Sequence, residues 1–587
     1  MSFFGLALAI AACSSTGQTQ NDGSGGGGSG GASSGSGGRG SGGNATSGSG
    51  GAGQSTGGSG TGTGGASQAS GGASSSGGSV GSGGASSSGG SLGSGGASSS
   101  GGATGSGGAT TASGGRAAGS GGGVGSGGAA GSGAAGGATG SGGAGGAAGA
   151  PGGLTDVSTF TPTTCTITPI VTTAAKIPMV GIATFTTDMP SAERAIIQFG
   201  KTTAYTLEAP VNWADSTHKT LLLGMPANTD VHYRIVVIAG DKACLQADAT
   251  YKTGALPSGA PANNPPQKGT SAAAPAAGFI IAQSGSFAYV VDKLDGSVVW
   301  AYKFPISLTR ALMSWDGNYM FGRDVGNFDS GSGGAIYRVG MDGSGEMKLT
   351  LSGGSHHDFT VTPTGIAYPA KVAAGECDSI FTAGVDGAGS KALVDLDVVF
   401  GKFKLGGGAQ AMEKCHVNAI RYYKDTDSFS VSDREKDAIA FISSKGEVLG
   451  SVGATPTGTT PNHAKAEGAD SQTTSTWRVQ HGHDQYEPNK IVLWSNGNFQ
   501  GGTSKVLHYT ISGATAKLDW QYTGAGNSPT FSDAQHLPNG NFLVTNSQTG
   551  NSNEIDASQK LVQSFAGLCK GGYPKHRSTL YGPPTGR

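Results

Sequence analysis

Ala335-Ile-Tyr-Arg-Val-Gly-Met-Asp-Gly343 and Ala288-Tyr-Val-Val-Asp-Lys-Leu-Asp-Gly296 are two copies of one pattern, a hydrophobic strand that leads into a tight turn. Similar copies begin at Ser379, Ala438, Val506 and Asn553. Their spacing is about 45 residues in three of the five intervals and is longer where insertions occur. A repeat of this length is typical of the four-stranded blades of β-propellers. The sequence therefore predicts an all-β chain with a six-bladed β-propeller over residues 279–587.

The second half of the repeat brings polar residues to equivalent positions. When the repeats are aligned on the turn and on the apolar strand after it, His357, His481 and Ser532 share one position. His416 joins them if its turn carries two or three extra residues. In a propeller this position begins the innermost strand, so that side chains from different blades converge on the central axis. With Arg434 at the end of a nearby strand, we expect a cationic pocket that suits an oxyanion.

The segments that carry these residues resemble the bacterial aryl sulfotransferase family, the nucleotide-independent arylsulfate sulfotransferases. The resemblance rests on Ser355-His-His-Asp-Phe359, Cys415-His-Val-Asn418, Ser432-Asp-Arg434, Gln480-His481, Trp494-Ser-Asn-Gly497 and Ser532-Asp-Ala-Gln-His-Leu-Pro-Asn-Gly-Asn541. It implies an exported propeller with a small N-terminal β-domain. It also implies transfer of a sulfuryl group from an aryl sulfate donor to a phenolic acceptor through a sulfated histidine.

The resemblance implies a role for each of several residues. The nucleophile falls on His481, and helper roles fall on His416, Arg434 and one of the pair His356 and His357, of which the repeat alignment favours His357. Residues expected to contact the substrate are His356, Asn418 and His483. Two positions depart from the family pattern: Ser495 stands where the family tends to have aspartate, and His483 is an additional histidine.

The expected chemistry needs no cofactor. Sulfuryl transfer resembles phosphoryl transfer in its loose transition state, so that the protein mainly positions groups and balances charge. A neutral imidazole can attack sulfur at neutral pH without a separate base. The sequence contains no G-x-x-x-x-G-K-[ST] motif, and its glycine-rich part lacks the strand and helix that hold a nucleotide. A reaction without a cofactor suits an exported site, and sulfuryl transfer assigns no metal ligands.

The N-terminal region predicts export and a lipid anchor. Residues 1–13 form an apolar segment too short to span a bilayer, and Ile10-Ala11-Ala12-Cys13 resembles a lipobox with Cys13 as the lipidated residue. Residues 14–153 are almost wholly Gly, Ser, Ala and Thr, which predicts a disordered tether with an r.m.s. span of roughly 60 to 70 Å. We expect a membrane-anchored lipoprotein in the periplasm or on the cell surface.

Residues 154–256 show short alternating strands between turn residues, which predicts a small β-sandwich resembling fibronectin type III domains. In that comparison Tyr233 would tie down the corner near Leu223. Residues 257–278 are rich in Pro and Ala and predict a linker. Because Cys165 and Cys244 bracket the sandwich in an oxidising compartment, we expect them to pair. The pairing of Cys377, Cys415 and Cys569 stays open.

Two other functions compete with sulfuryl transfer. The chain could be a non-catalytic, surface-anchored propeller that binds a ligand or partner, with its histidines serving packing. It could also be a metal-dependent hydrolase with His356, His357, Asp358 and His483 as ligands, although its few carboxylates count against this. The net charge of −1 gives no basic surface for nucleic acid, which argues against a nucleic-acid partner.

Overall fold

The computed structural model describes residues 154–324, 334–372, 377–403, 415–470, 475–497 and 502–584. The predicted signal segment with Cys13 and the predicted tether lie outside these ranges. Within them the chain is all-β, as the repeat predicts. The described residues form no α-helix, and hence no helix long and apolar enough to cross a membrane. Three short 3₁₀-helices occur in the same ranges, at Val157–Thr159, Leu396–Val398 and Phe400–Lys402.

The N-terminal part consists of two facing sheets with the hydrophobic core between them. The larger sheet has the order β1-β8-β7-β4-β5 with β9 also paired to β7, and the smaller has the order β2-β3-β6. The strands are β1 Thr161–Pro162, β2 Ile167–Thr173, β3 Gly181–Thr187, β4 Arg194–Gly200, β5 Leu207–Pro210, β6 Thr220–Leu222, β7 Asp230–Ala239, β8 Lys242–Leu245 and β9 Ala249–Lys252. Along β3 the residues alternate between buried and less buried, the period that a half-buried strand requires.

Two contacts hold this part together and fix it to the rest of the chain. Cys165 and Cys244 form a disulfide with their Cα atoms 5.9 Å apart. The corner at Leu223 is bound by a different tyrosine from the expected one. The hydroxyl of Tyr581 accepts a hydrogen bond from Leu223 N (2.7 Å) and donates one to Leu221 O (3.0 Å). Tyr233 instead packs edge to face on Tyr251.

The remaining strands mostly form antiparallel groups of four, one of which combines the last strand with three early ones. They are β10 Gln267–Lys268, β11 Phe279–Ser284, β12 Phe287–Asp292, β13 Val298–Lys303, β14 Leu308–Met313, β15 Tyr319–Asp324, β16 Ile336–Gly340, β17 Met347–Lys348, β18 Gly354–Ser355, β19 Thr360–Thr362, β20 Gly365–Lys371, β21 Asp378–Gly384, β22 Lys391–Asp395, β23 Val417–Tyr423, β24 Ser428–Asp433, β25 Ala438–Ser443, β26 Val448–Gly453, β27 His463–Ala466, β28 His483–Glu487, β29 Lys490–Ser495, β30 Lys505–Ser512, β31 Thr515–Tyr522, β32 Asp533–His536, β33 Phe542–Asn546, β34 Asn551–Ile555, β35 Leu561–Phe565 and β36 Lys575–Arg577.

The quoted repeats form equivalent strands of these groups. The third strand of each group is one of β12, β16, β21, β25, β30 and β34. The turn that follows contains a residue of positive φ in every case, a glycine in all but the last, where Gln559 has φ 64°. At Gly296 a Cβ would lie 2.0 Å from Asn264 O, so this turn also needs glycine for a close backbone approach.

Strands from the start and the end of the C-terminal region pair with each other. The C-terminal strand β36 pairs with β11, so that the first of these sheets combines the start and the end of the C-terminal region. The segment 257–278, predicted as a linker, contains β10, which pairs with β35 at the edge of the last sheet. Strand β27 joins two groups by parallel pairing with β26 and β31.

The first strands β14, β19, β23, β28 and β32 lie side by side in that order, with β36 completing the series through a bridge from Tyr573 to Arg310. Because they run in the same direction, their first residues meet at one end and their last residues meet at the other. The candidate site lies at the end where these strands begin.

Candidate functional site at the start of the first strands

Four histidine rings from three of the four-strand groups meet where the first strands begin. The ring of His357 lies 4.5 Å from that of His416 and 6.1 Å from that of His481, measured between centroids. His356 lies 5.6 Å from His357 and 6.0 Å from His416. Each of the four side chains belongs to a residue that is between 1% and 6% exposed. The Nε2 atoms of His357 and His416 are hydrogen-bonded to each other.

Asn496 fixes the proton of His481. Its amide nitrogen Nδ2 donates to Ser528 O (2.6 Å) and to Phe531 O (3.1 Å), which turns its oxygen Oδ1 towards the imidazole. Asn496 Oδ1 then lies 2.6 Å from His481 Nδ1, and an amide oxygen can only accept. His481 therefore carries its proton on Nδ1. The lone pair of the neutral ring stays on Nε2.

Burial and charge keep these imidazoles neutral. Burial, and after it the charge of Arg434, lowers the pKa of His481 to about 3. Burial is also the main cause that lowers the pKa of His357 and that of His416 well below 6.5, and the neighbouring charges of the cluster add to it. At neutral pH each of these three rings therefore has a lone pair and no net charge.

Arg434 supplies the cationic side of the site. It follows β24 directly, and its backbone N–H donates to His416 O (3.0 Å). Its guanidinium binds Glu435 Oε1 through Nε at 2.8 Å and through Nη2 at 2.5 Å. Glu435 was not singled out by sequence, because an acidic residue next to an arginine is common on protein surfaces. Here both residues are buried, and the carboxylate orients the guanidinium.

A disulfide sits directly behind two residues of the cluster. Cys377 and Cys415 are bonded with their Cα atoms 4.9 Å apart, which leaves Cys569 as a buried thiol. Asp378, next to Cys377, accepts a hydrogen bond from His356 Nε2 at 2.7 Å and one from Val417 N at 2.7 Å. His416 is the residue after Cys415. The bond thus ties together the strands that carry His356's partner and His416.

The backbone around the cluster is strained in equivalent places. His357, Val479, Phe531 and Ser532 have positive φ angles of 54°, 52°, 51° and 81°. Such values cost free energy for residues other than glycine, and most for a β-branched residue such as Val479. Gly482, between His481 and His483, is required for a different reason. A Cβ there would lie 2.1 Å from Asp533 Oδ1 and 2.7 Å from Asp533 Cα.

Of the other residues expected at the site, Asn418 supports the segment that carries His481, whereas His483 and Ser495 make separate contacts. Asn418 Nδ2 donates to Gln480 O (2.5 Å), which holds the segment before His481. His483 Nε2 binds Ser430 Oγ (2.6 Å), and in the described ranges His483 takes no part in the ring contacts of the cluster. Ser495, at the position where aspartate was expected, is buried and its Oγ accepts from Arg478 N (2.9 Å).

Asp358 belongs to a buried ion-pair network below the histidines. It binds Arg310 Nε (3.0 Å) and Arg421 Nη1, and Arg421 Nη2 binds Asp533 Oδ1 (3.0 Å). The four ligands of the competing metal hydrolase are thus dispersed, because Asp358 faces arginines and His483 faces Ser430. No cluster of three or more His, Cys, Asp or Glu with metal-binding geometry occurs in the described ranges.

Phe531 forms an apolar wall beside the nucleophile candidate. Its ring centroid lies 6.0 Å from that of His481 and 5.7 Å from that of His357, and it also packs on Tyr573. The sequence repeat pointed to Ser532 but not to Phe531. Asn496 lay in a quoted segment, but its role depends on two backbone carbonyls more than thirty residues away.

Comparisons with known proteins give structural likenesses only. No family model matches the sequence, and no curated protein matches it. Solved structures with some likeness include TolB from Acinetobacter baumannii, with 10% identity over 60% of this chain and 80% of that one, at a TM-score of 0.33. The dihydro-heme d1 dehydrogenase NirN has 11% identity over 51% and 56%, at 0.28. An auxiliary nutrient binding protein from Bacteroides thetaiotaomicron has 8% identity over 67% and 86%, at 0.22.

Proposed function

We propose that this chain is an exported aryl sulfotransferase that moves a sulfuryl group from an aryl sulfate to a phenolic acceptor. The observation that carries the proposal is His481, a buried neutral imidazole whose proton Asn496 holds on Nδ1. This leaves the Nε2 lone pair for attack. Two more neutral imidazoles and the guanidinium of Arg434 belong to the same site. Transfer between anionic oxygens requires a positive charge to stabilise them, which the guanidinium supplies.

In the first half-reaction His481 Nε2 forms a bond to sulfur while the bond from sulfur to the aryl oxygen breaks. The aryl oxide leaves with the electron pair, and Arg434 balances the charge on the leaving and non-bridging oxygens. In the second half-reaction the oxygen of a phenol attacks the same sulfur and the N–S bond breaks. The electron pair of the N–S bond returns to Nε2, and the phenolic proton passes to an imidazole of the pair formed by His357 and His416, which releases it to solvent before the next turnover. No cofactor enters either step.

The aryl group of the donor has an apolar neighbour in Phe531. Its ring is 6.0 Å from His481, a distance typical of edge-to-face packing between aromatic rings. We assign Phe531 to the wall against which donor and acceptor rings pack. In this proposal His356 and Asn418 act through their hydrogen bonds to Asp378 and to Gln480 O, and His483 has a structural role.

The finer architecture belongs to the same proposal. We interpret the four-strand groups as six blades of a β-propeller, closed by the pairing of β36 with β11, and the N-terminal sheets as a fibronectin type III-like sandwich. Cys13 would carry the lipid, and residues 14–153 would hold the folded part away from the membrane. Replacing Cys13 with serine would then release the protein from membranes.

The experiment that tests the activity is release of 4-nitrophenol from 4-nitrophenyl sulfate, with and without phenol and with and without a chelator. We expect release that phenol stimulates and that the chelator leaves unchanged, since the transfer needs no metal. If a panel of aryl sulfates is not cleaved, sulfuryl transfer is wrong and the non-catalytic binding function replaces it. If the chelator abolishes release, the metal hydrolase replaces it.

A further inference from the structure

A cavity lies at the opposite end of the first strands from the histidine cluster. It has a volume of about 280 Å³, near the lower limit of roughly 300 Å³ for small-molecule sites. Its walls come from the first strands and the residues that follow them, among them Trp315, Tyr422, Asp484, Tyr486, His536 and Lys575. The four clustered histidines do not line it. The ion pairs of Asp358 and Asp533 with Arg310 and Arg421 lie between the two sites.

Lys575 is a cation of this cavity that makes no direct ion pair, although the carboxylate of Asp484 lines the same cavity. No described residue makes a hydrogen bond or an ion pair with its ammonium group, although burial lowers its pKa and Asp484 is the largest opposing influence. Asp484 itself accepts a hydrogen bond from His536 N (3.1 Å). The other cations in the wall are satisfied: Arg421 binds two carboxylates, and Arg577 binds backbone carbonyls.

Aromatic rings make up much of the remaining wall. Trp315 and Tyr422 pack edge to face with centroids 5.6 Å apart, and Tyr486 stacks on His536 with centroids 3.9 Å apart. All four residues are only partly buried. Ring faces and edges that a protein leaves accessible inside a cavity are favourable surfaces for another aromatic ring.

We propose that this cavity is a binding site for a single-ring aromatic anion, with the anionic group at Lys575 Nζ and the ring against Trp315 and Tyr486. An ammonium group that makes no direct ion pair or hydrogen bond is desolvated in a cavity at a cost that an anionic ligand offsets. The site is independent of the proposed sulfuryl transfer, since it shares no lining residue with the histidine cluster and involves no bond making.

The test is isothermal titration of the whole protein with benzoate, and with benzamide as the neutral probe of the same shape. We expect benzoate to bind at least tenfold more tightly than benzamide, and Lys575→Gln to abolish this preference. Lys517→Gln, at an exposed lysine of β31, serves as the matched control and should bind like the wild type. His481→Asn should also bind like the wild type, since it alters the other site.

Lys575→Gln removes no ion pair, so we expect it to unfold at the wild-type temperature. If it fails to fold, Trp315→Leu, which keeps the ammonium, should weaken benzoate and benzamide by the same factor. The proposal is overturned if the wild type does not bind benzoate, if it binds both probes equally, or if Lys575→Gln keeps the preference for benzoate. Loss of benzoate binding in His481→Asn alone would assign the ligand to the histidine cluster instead.

Discussion

Asn496 Oδ1 lies 2.6 Å from His481 Nδ1, and the amide that provides this oxygen is held in place by the carbonyls of Ser528 and Phe531. The tautomer of the imidazole is thus set by the fold before any substrate binds. Without this hydrogen bond, part of the protein would hold the imidazole in the unreactive tautomer, in which Nε2 carries the proton. In the proposed reaction, this relationship leaves His481 Nε2 as the attacking atom.

Replacing Asn496 tests this preorganisation. Asn496→Ala removes the acceptor, and we expect kcat for aryl release to fall about 10- to 100-fold with KM little changed, as for other partners that orient a reacting histidine. Asn496→Asp keeps an acceptor oxygen but sets its second oxygen against the carbonyls of Ser528 and Phe531, so we expect this variant to lose activity as well. Asn539→Ala, an exposed asparagine outside the cluster, is the control. Equal kcat values for Asn496→Ala and the wild type would show that the tautomer does not matter.

We expect Arg434 to stabilise the negative charge on the leaving oxygen and to have no part in the attack of His481 on sulfur. Arg434→Ala leaves the Nε2 lone pair of His481 in place but removes the cation beside the leaving oxygen. We expect a loss of about 10²- to 10³-fold in kcat, comparable to deletion of one oxyanion donor, with measurable residual turnover. Arg434→Lys should recover part of the loss. The assigned role would be wrong if the effect were larger for donors with good leaving groups than for those with poor ones, since poor leaving groups need the cation most.

We expect loss of one disulfide to lower the activity and loss of the other to lower only the stability. The double variant Cys377→Ser with Cys415→Ser frees the strands next to Asp378 and His416, and we expect at least a tenfold loss of kcat in the folded protein. The matched double variant Cys165→Ser with Cys244→Ser lies in the N-terminal part. It should lower the free energy of unfolding by about 2–5 kcal/mol and keep kcat. Steady-state kinetics and denaturant titration of both variants measure these effects. An unchanged kcat in the first variant would contradict the role of the disulfide between Cys377 and Cys415 in positioning Asp378 and His416.

The low pKa of His481 predicts how stability depends on pH. The unfolded chain protonates this histidine below about pH 6.5, whereas the folded chain, where its pKa is about 3, does not. The free energy of unfolding therefore falls as the pH drops. His481→Asn removes this one contribution, so the variant should gain about 2.5 kcal/mol relative to the wild type between pH 7.5 and 4.5.

Denaturant titrations of both proteins across this range measure that difference. The raised pKa values of Asp433 and Asp437, about 7 and about 6, act in the opposite direction. They are present in both proteins, and for this reason they cancel in the comparison. A difference that does not change with pH would mean that the pKa of His481 is the same in the folded and the unfolded chain.

The internal repeat predicted much of the strand order and the meeting of the histidines, because both depend on local pattern and equal spacing. The turn glycines at Gly296 and Gly343 have the positive φ angles that such turns require. The pairing of Cys165 with Cys244 was likewise readable from their position around one small domain. These features depend on residues near in sequence or on a simple period.

The features that could not be predicted from the sequence depend on contacts between segments that are distant along the chain. Asn496 acquires its role only when Ser528 and Phe531 fold next to it, and Asp358 meets Arg310 and Arg421 from other sheets. Asp358 therefore looked like a metal ligand in the sequence, whereas in the fold it is an ion-pair partner. The strand β10 was missed because its two residues pair only with the distant β35.

The central claim is tested most directly by mass spectrometry of the protein after brief incubation with 4-nitrophenyl sulfate and no acceptor. The account predicts one added sulfuryl group on His481 in the wild type, lost on addition of phenol. His481→Asn should show neither the label nor release of nitrophenol, whereas His483→Asn, at the neighbouring buried histidine, should keep both. A label on His483 or His416, or near-normal transfer by His481→Asn, would contradict the account.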